Sequence, residues 1–259
     1  MKHFLKLKKR LYFPILTIVL AGICFTGCKS DSTTAASKAG TYYGDSLPFG
    51  NDTLHSWVKT DINGNPASIG VTFKESALAS LEKDTDMMLM MMLPASGGIM
   101  SSPFDHIEVD WSPKGDPSPS VYNIPFLDAH FFTVSMAVQA AVKGGPDPSP
   151  ADMKYIPAGY MLDMDAEAGM GTHCMDTTGK EFHGMAFDQA LMYGFYNGDL
   201  YFIEPMVAKS TLDTKTNQSI DIKQPQAFKK SGYYPMKYNV TYDAAAKQYS
   251  ISIDNFMSR

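Results

Sequence analysis

Cysteine is scarce: three in 259 residues, at Cys24, Cys28 and Cys174. Cys24 falls in the N-terminal leader and Cys28 directly after it, so Cys174 stands alone in the body of the chain and no disulfide framework is open within it. After the leader no apolar run is long enough to cross a bilayer. No Lys/Arg cluster stands beyond the leader and the net charge is −5, which argues against nucleic acid as a partner. Phosphate-cradling loops are missing, both the Walker type and Gly-x-Gly-x-x-Gly after a strand. So are the Gly-x-Ser-x-Gly elbow and the His-Glu-x-x-His helix. His173 adjoins Cys174, but neighbours on an extended chain face opposite ways, so the two are no nucleophile–base pair.

What is present begins with an export signal. Lys2, Lys6, Lys8, Lys9 and Arg10 precede an apolar stretch from Leu11 to Phe25, broken by Pro14, Thr17 and Gly22. About 15 residues span roughly 22 Å as a helix, short of the roughly 30 Å bilayer core. That length suits a signal segment rather than a permanent span. Phe25-Thr26-Gly27-Cys28 resembles the lipobox of bacterial lipoproteins, departing from it at Phe25, where an aliphatic residue is usual. The resemblance implies that the Cys28 thiol receives diacylglycerol and becomes the new N-terminus; the alternative is an ordinary signal cleaved near Gly27. Cys24 is the poorer candidate, because Ile23 fills a position that must be small. We therefore expect a signal peptide over residues 1–27, a Ser/Thr/Ala-rich flexible tether over 28–40 and one domain over 41–259. Lipid would hold the chain to a membrane of the cell envelope, with the domain in the periplasm or on the surface. Lys29 after the cysteine favours the outer membrane.

The domain reads as short strands with few helices. Thr53–Thr60 and Ala67–Phe73 flank an Asn63-Gly64 turn, and Leu191–Tyr196 and Leu200–Ile203 flank Asn197-Gly198, the strongest hairpin signal. Tyr238–Tyr242 and Gln248–Ile253 form a third hairpin around Ala244–Ala246. Ile107–Trp111 and Ala129–Val134 read as further strands, and Lys74–Lys83 and Ser135–Lys143 as short helices. The fold class is α+β: mainly antiparallel sheet with one to three short helices in a single domain.

Eighteen methionines are conspicuous, bunched at Met87, Met88, Met90, Met91, Met92 and again at Met161, Met164, Met170, Met175. Thioethers are soft ligands suited to Cu(I), but their commoner use is filling cores, and Met87–Leu93 reads as a buried strand. Polar residues in apolar surroundings are the other candidates. Asp128 and His130 alternate on one strand and so project from one face. His173 lies among glycines in Gly169-Met170-Gly171-Thr172-His173, and Glu204 ends the apolar run Leu200–Ile203. A carboxylate there is costly to bury unless it meets a cation or good donors. Two imidazoles with one or two carboxylates can make a divalent metal site. The bland alternative is a strand histidine bonded to Asp128, with Glu204 at an exposed strand end.

Several segments are similar to an uncharacterised family of exported bacterial proteins, typified by a Thermus protein under extracytoplasmic-stress sigma-factor control. They are Asp110–Asp116, Pro125–Phe132, Ile156–Tyr160, Gly169–His173 with Asp176, Met192–Gly198 running into Phe202–Met206, and Gly232–Pro235. The family's first stretch usually ends Gly-His and its second reads Pro-His-Phe-Asp-Phe-His-Phe-Tyr. Asp116 and Phe126 stand where two of those histidines would be, while His130, His173, Asp128 and Glu204 match. The resemblance implies a metal centre in which Asp116 offers oxygen for nitrogen and Phe126 offers nothing. It implies no named activity.

Three readings follow. One is an envelope lipoprotein with a divalent ion, zinc or iron, held by His130, His173, Glu204 and Asp128 or Asp116, either as a binding centre or as an enzyme in which the ion activates water or polarises a substrate. A second is a non-catalytic, envelope-stress or binding lipoprotein, with homo-oligomerisation open, whose polar cluster is structural. The third is a periplasmic copper-binding protein using its methionine clusters.

Overall fold

Three turns chosen by local chemistry organise the chain. At Asp61–Asn65 the Asp61 carboxylate accepts the Asn63 and Asn65 main-chain N–H groups, each at 2.8 Å. At Asn197-Gly198 both residues take positive φ, 52° and 74°, the backbone that a two-residue hairpin demands. At Ala244–Ala246 the Asp243 carboxylate accepts two main-chain N–H groups, at 2.9 and 3.0 Å. All three expected hairpins form. The computed structural model describes residues 39–95, 102–116 and 120–259. The signal peptide, Cys28 and the tether up to residue 38 lie outside the described residues.

One sheet joins, in spatial order, β1 (Gly40–Phe49), β2 (Asp52–Thr60), β3 (Pro66–Lys74), β14 (Gln248–Asp254), β13 (Lys237–Asp243) and β11 (Gln218–Asp221). The other runs β4 (Met87–Met92), β5 (His106–Ser112), β6 (Phe126–Phe132), β10 (Asp199–Ala208), β9 (Gln189–Tyr196), β8 (Thr172–Asp176) and β7 (Tyr160–Leu162). The two-residue strands β12 (Tyr233–Tyr234) and β15 (Met257–Ser258) pair separately. Every strand pairing is antiparallel. Leu54, Val58, Ile69, Val71 and Ile251 of the first sheet share one buried cluster with Ile107, Val109, Leu127, Phe131 and Ile203 of the second. The result is a single β-rich domain in which the two sheets enclose a common core.

Among the described residues α-helix is confined to α1 (Glu75–Ala79), α2 (Met136–Gln139) and α3 (Lys209–Asp213), with three short 3-10 turns besides. Both expected helices are shorter than Lys74–Lys83 and Ser135–Lys143. At the end of α1 the Ser80 hydroxyl donates to the Ala77 carbonyl at 2.9 Å, a local bond that competes with helix propagation. The methionine run also departs from expectation. It is a strand, β4, but it lies at the sheet edge, so Met88 and Met92 are 59% and 42% exposed and only Met91 is fully buried. A continuous apolar run suggests burial on both faces; here alternation turns Met88 and Met92 to the outward face, which lies open to solvent at this edge strand.

Candidate metal centre

Strand alternation builds the centre. Ile107, Val109 and Trp111 of β5 turn into the core between the sheets, so His106, Glu108 and Asp110 take the opposite face. The same division holds on β6, with Leu127, Ala129 and Phe131 inward and Asp128 and His130 outward. The ladder sets Glu108 opposite His130 and Asp110 opposite Asp128. Between β10 and β6 the register runs Ile203↔Phe131 and then Met206↔Asp128, which puts Glu204 beside His130. The pairing lapses there, where Pro205 has no N–H to give. One row across the outward face therefore reads Glu108, His130, Glu204.

His173 comes from the next row, opposite Gly194. A Cβ on Gly194 would lie 2.1 Å from the Phe202 ring. Its absence lets that ring fill the space and pack on both imidazoles, with centroids 4.8 Å from His130 and 5.3 Å from His173. His130 and His173 thus meet Glu204 around one aromatic spacer. Nε2 of His130 is 3.4 Å and Nε2 of His173 is 3.9 Å from Oε2 of Glu204. Donors about 2.1 Å from an ion stand roughly 3.0–3.4 Å apart at octahedral or tetrahedral angles. The first separation already fits, and the second needs a shift of a few tenths of an ångström.

Polar groups on this face are buried without partners. Glu204 and His130 are 2% exposed, and Oε2 of Glu204, Nδ1 of His130, Oδ1 of Asp110, Oδ1 of Asp128 and Oε1 of Glu108 have no hydrogen bond. Each such group costs about 1–3 kcal/mol, so five in one place need a common explanation. Among the described residues no Lys or Arg lines the adjoining cavity. Burial, and then the charge of Asp128, pushes the Asp110 carboxyl up to about 10. Burial likewise raises Asp128 and Glu204 well above, and Glu108 above, the ordinary carboxylate range. It holds His130 well below and His173 below the usual imidazole range. Neutral imidazoles with a free lone pair, beside carboxyls that stay protonated until a positive charge joins them, suit a cation. His130, His173 and Glu204 form one group that can hold a metal ion, and Glu108, Asp110 and His130 form another.

The expected site residues take different places. His130, His173 and Glu204 converge. Asp128 lies by the other side of the His130 ring, its Oδ1 3.8 Å from Nδ1. Asp116 is exposed at the edge of the same cavity, its main-chain N–H bonded to the Tyr122 carbonyl at 3.0 Å, and belongs to neither ligand group. Glu204 is no exposed strand end, as the bland reading had it. Glu108 and Asp110 were missed, although acids alternating with Ile107, Val109 and Trp111 carry the same signal of costly burial that singled out Glu204. Among the methionines, Met175, Met192 and Met206 pack with Tyr122, Phe126 and Phe187 beside the site, while Met161 and Met164 are exposed. Cys174 faces the core, and burial pushes its thiol up to about 12, so it is inert at neutral pH.

The cavity has a volume of about 500 Å³, with Met88, Met170, Met192 and Met206 among its apolar lining. His173, its side chain 20% exposed, is the ligand nearest solvent. Comparison with protein-family models, with curated proteins and with solved structures gave no match.

Proposed function

We propose that the chain is an exported lipoprotein, anchored through Cys28 in the cell envelope, that binds a divalent transition metal through His130, His173 and Glu204. The observation that carries this reading is the convergence of two neutral imidazoles on the buried Glu204 carboxyl, whose Oε2 has no hydrogen bond, with no Lys or Arg among the described residues of the cavity lining. Two histidines and one carboxylate suit zinc or iron. Three protein ligands leave coordination positions open toward the cavity, where water or a small ligand binds. That opening also favours a second reading, a metal-dependent enzyme of the envelope, in which the ion would polarise the bound ligand. The export half rests on the basic leader, the short apolar segment and the lipobox-like Phe25–Cys28.

The test is elemental analysis of the full-length chain, purified in detergent without added metal or chelator. At least one equivalent of zinc or iron in the parent, and none in a folded His130→Ala/His173→Ala variant, is the expected result. A well-folded parent that takes up neither ion, even after equilibration with each, would remove the reading. Copper in place of both, kept in the folded His130→Ala/His173→Ala variant, would transfer the site to the methionines. For the anchor, Cys28→Ala is expected to abolish acylation and release the protein into the soluble fraction.

A further inference from the structure

The two nitrogens of His130 look in different directions. Nε2 faces Glu204 at 3.4 Å, whereas Nδ1 faces Asp110 Oδ2 at 3.5 Å and Asp128 Oδ1 at 3.8 Å. Glu108, opposite His130 in the ladder, completes the second group, its ligand atom within 4.8 Å of those of Asp110 and His130. Glu108 is 1% exposed and rigidly held by one oxygen only. Its Oε2 accepts from Gln139 Nε2 at 2.7 Å, and Gln139 Oε1 accepts from His106 Nε2 at 2.8 Å. His106 Nδ1 in turn bonds Asp105 at 2.9 Å. The chain of bonds fixes Glu108 and leaves Oε1 buried beside the Asp110 carboxyl, with which it can only share a proton, while Asp128 Oδ1 and His130 Nδ1 have no hydrogen bond.

Charge points the same way. Glu108, Asp128 and Glu204 are buried and the Asp110 side chain is 14% exposed, and among the described residues no Lys or Arg lines the cavity beside them. A single divalent ion at Glu204 leaves Glu108, Asp110 and Asp128 with no cation of their own in a medium where charge is poorly screened; a second ion in this group supplies one. An outer carboxylate that merely orients a metal-binding histidine is common, but that role would occupy Asp110 alone. It leaves the free oxygens of Glu108 and Asp128 unexplained.

We propose that Glu108, Asp110 and the Nδ1 side of His130, with Asp128 beside them, hold a second divalent cation, so that the His130 ring is shared between two ions. This rests on the reading of His130, His173 and Glu204 as a metal site. The second group offers mostly oxygen, which suits a harder ion such as Mn²⁺ or Fe²⁺. Binding forms only coordination bonds. Sharing makes the His130 ring an imidazolate; its one N–H proton and the protons on the ligating carboxyls pass to solvent, while His173 binds through a free lone pair and releases none.

The experiment uses the full-length chain in detergent, stripped with chelator, loaded with Zn²⁺ or Mn²⁺, desalted and counted for ions per chain. The parent is expected to hold two ions. Glu108→Gln/Asp110→Asn, which keeps side-chain size, is expected to hold one, and His173→Ala to hold one or to bind its first ion at least tenfold more weakly. His130→Ala is expected to lose both. One ion in the parent, lost in His173→Ala and kept in Glu108→Gln/Asp110→Asn, would overturn the second site and leave the first standing. No ion in the parent would remove both. The parent count does not depend on any variant folding, and Mn²⁺ electron paramagnetic resonance of the parent gives it independently.

Discussion

Strands β5, β6 and β10 have two faces that obey opposite rules. Inward, Ile107, Val109, Leu127, Ala129, Phe131, Ile203 and Val207 meet the other sheet with nothing polar left to satisfy. Outward, the same strands carry Glu108, Asp110, Asp128, His130 and Glu204, each with a buried polar atom lacking a partner. One face is settled by packing alone. The other is incomplete until something charged joins it, and the difference locates the chemistry without any motif.

The comparison is broken most severely from the inward side. Phe131→Ala, at a fully buried position, is expected to lower unfolding free energy by about 3–5 kcal/mol, measured by urea denaturation. A loss below 1 kcal/mol would mean that the inward face is not the load the fold rests on.

From the outward side the lever is pH. The carboxyls on this face titrate higher in the folded than in the unfolded chain. Their contribution is therefore full below the unfolded value, near pH 4, and is lost as pH rises toward the folded one, about 10 for Asp110. The depressed histidines act oppositely, but only below about pH 6.5. Between pH 7 and 10 the metal-free protein should thus lose stability, by roughly 1.4 kcal/mol per pH unit for each proton retained. Metal should flatten the slope, because coordination replaces those protons. Thermal melts with and without Zn²⁺ across that window check this; identical slopes would argue against an ion on this face.

Gly194→Ala sharpens the link between packing and site. Its Cβ would strike the Phe202 ring, at a cost of about 1–3 kcal/mol, and shift the spacer between His130 and His173. Metal affinity should fall with stability, read by competition against a chelator. The smallest effect is expected from Met192→Leu, under about 1.5 kcal/mol, with zinc binding unchanged. A large loss of metal there would give the thioethers a ligand role.

What could be read in advance followed how local the cause was. The Asn63-Gly64 and Asn197-Gly198 turns announce themselves in two residues. His130 and Glu204 stood out because a strand's alternation and its apolar neighbours are visible along the chain. Glu108 and Asp110 join them only through the pairing of β5 with β6, which no single segment reveals. Edge position is equally nonlocal, which is why the methionine run was expected inside. β1 was not anticipated at all, since a bulge between Tyr43 and Ser46 breaks the alternation that would have marked it.

The most direct test of the central claim is an anomalous-scattering map, at the zinc absorption edge, from crystals of the Zn²⁺-loaded protein. The account predicts a peak within coordinating distance of His130 Nε2, His173 Nε2 and Glu204 on the outward face of the second sheet. A map with no peak there, or with zinc bound only elsewhere on the molecule, would contradict it.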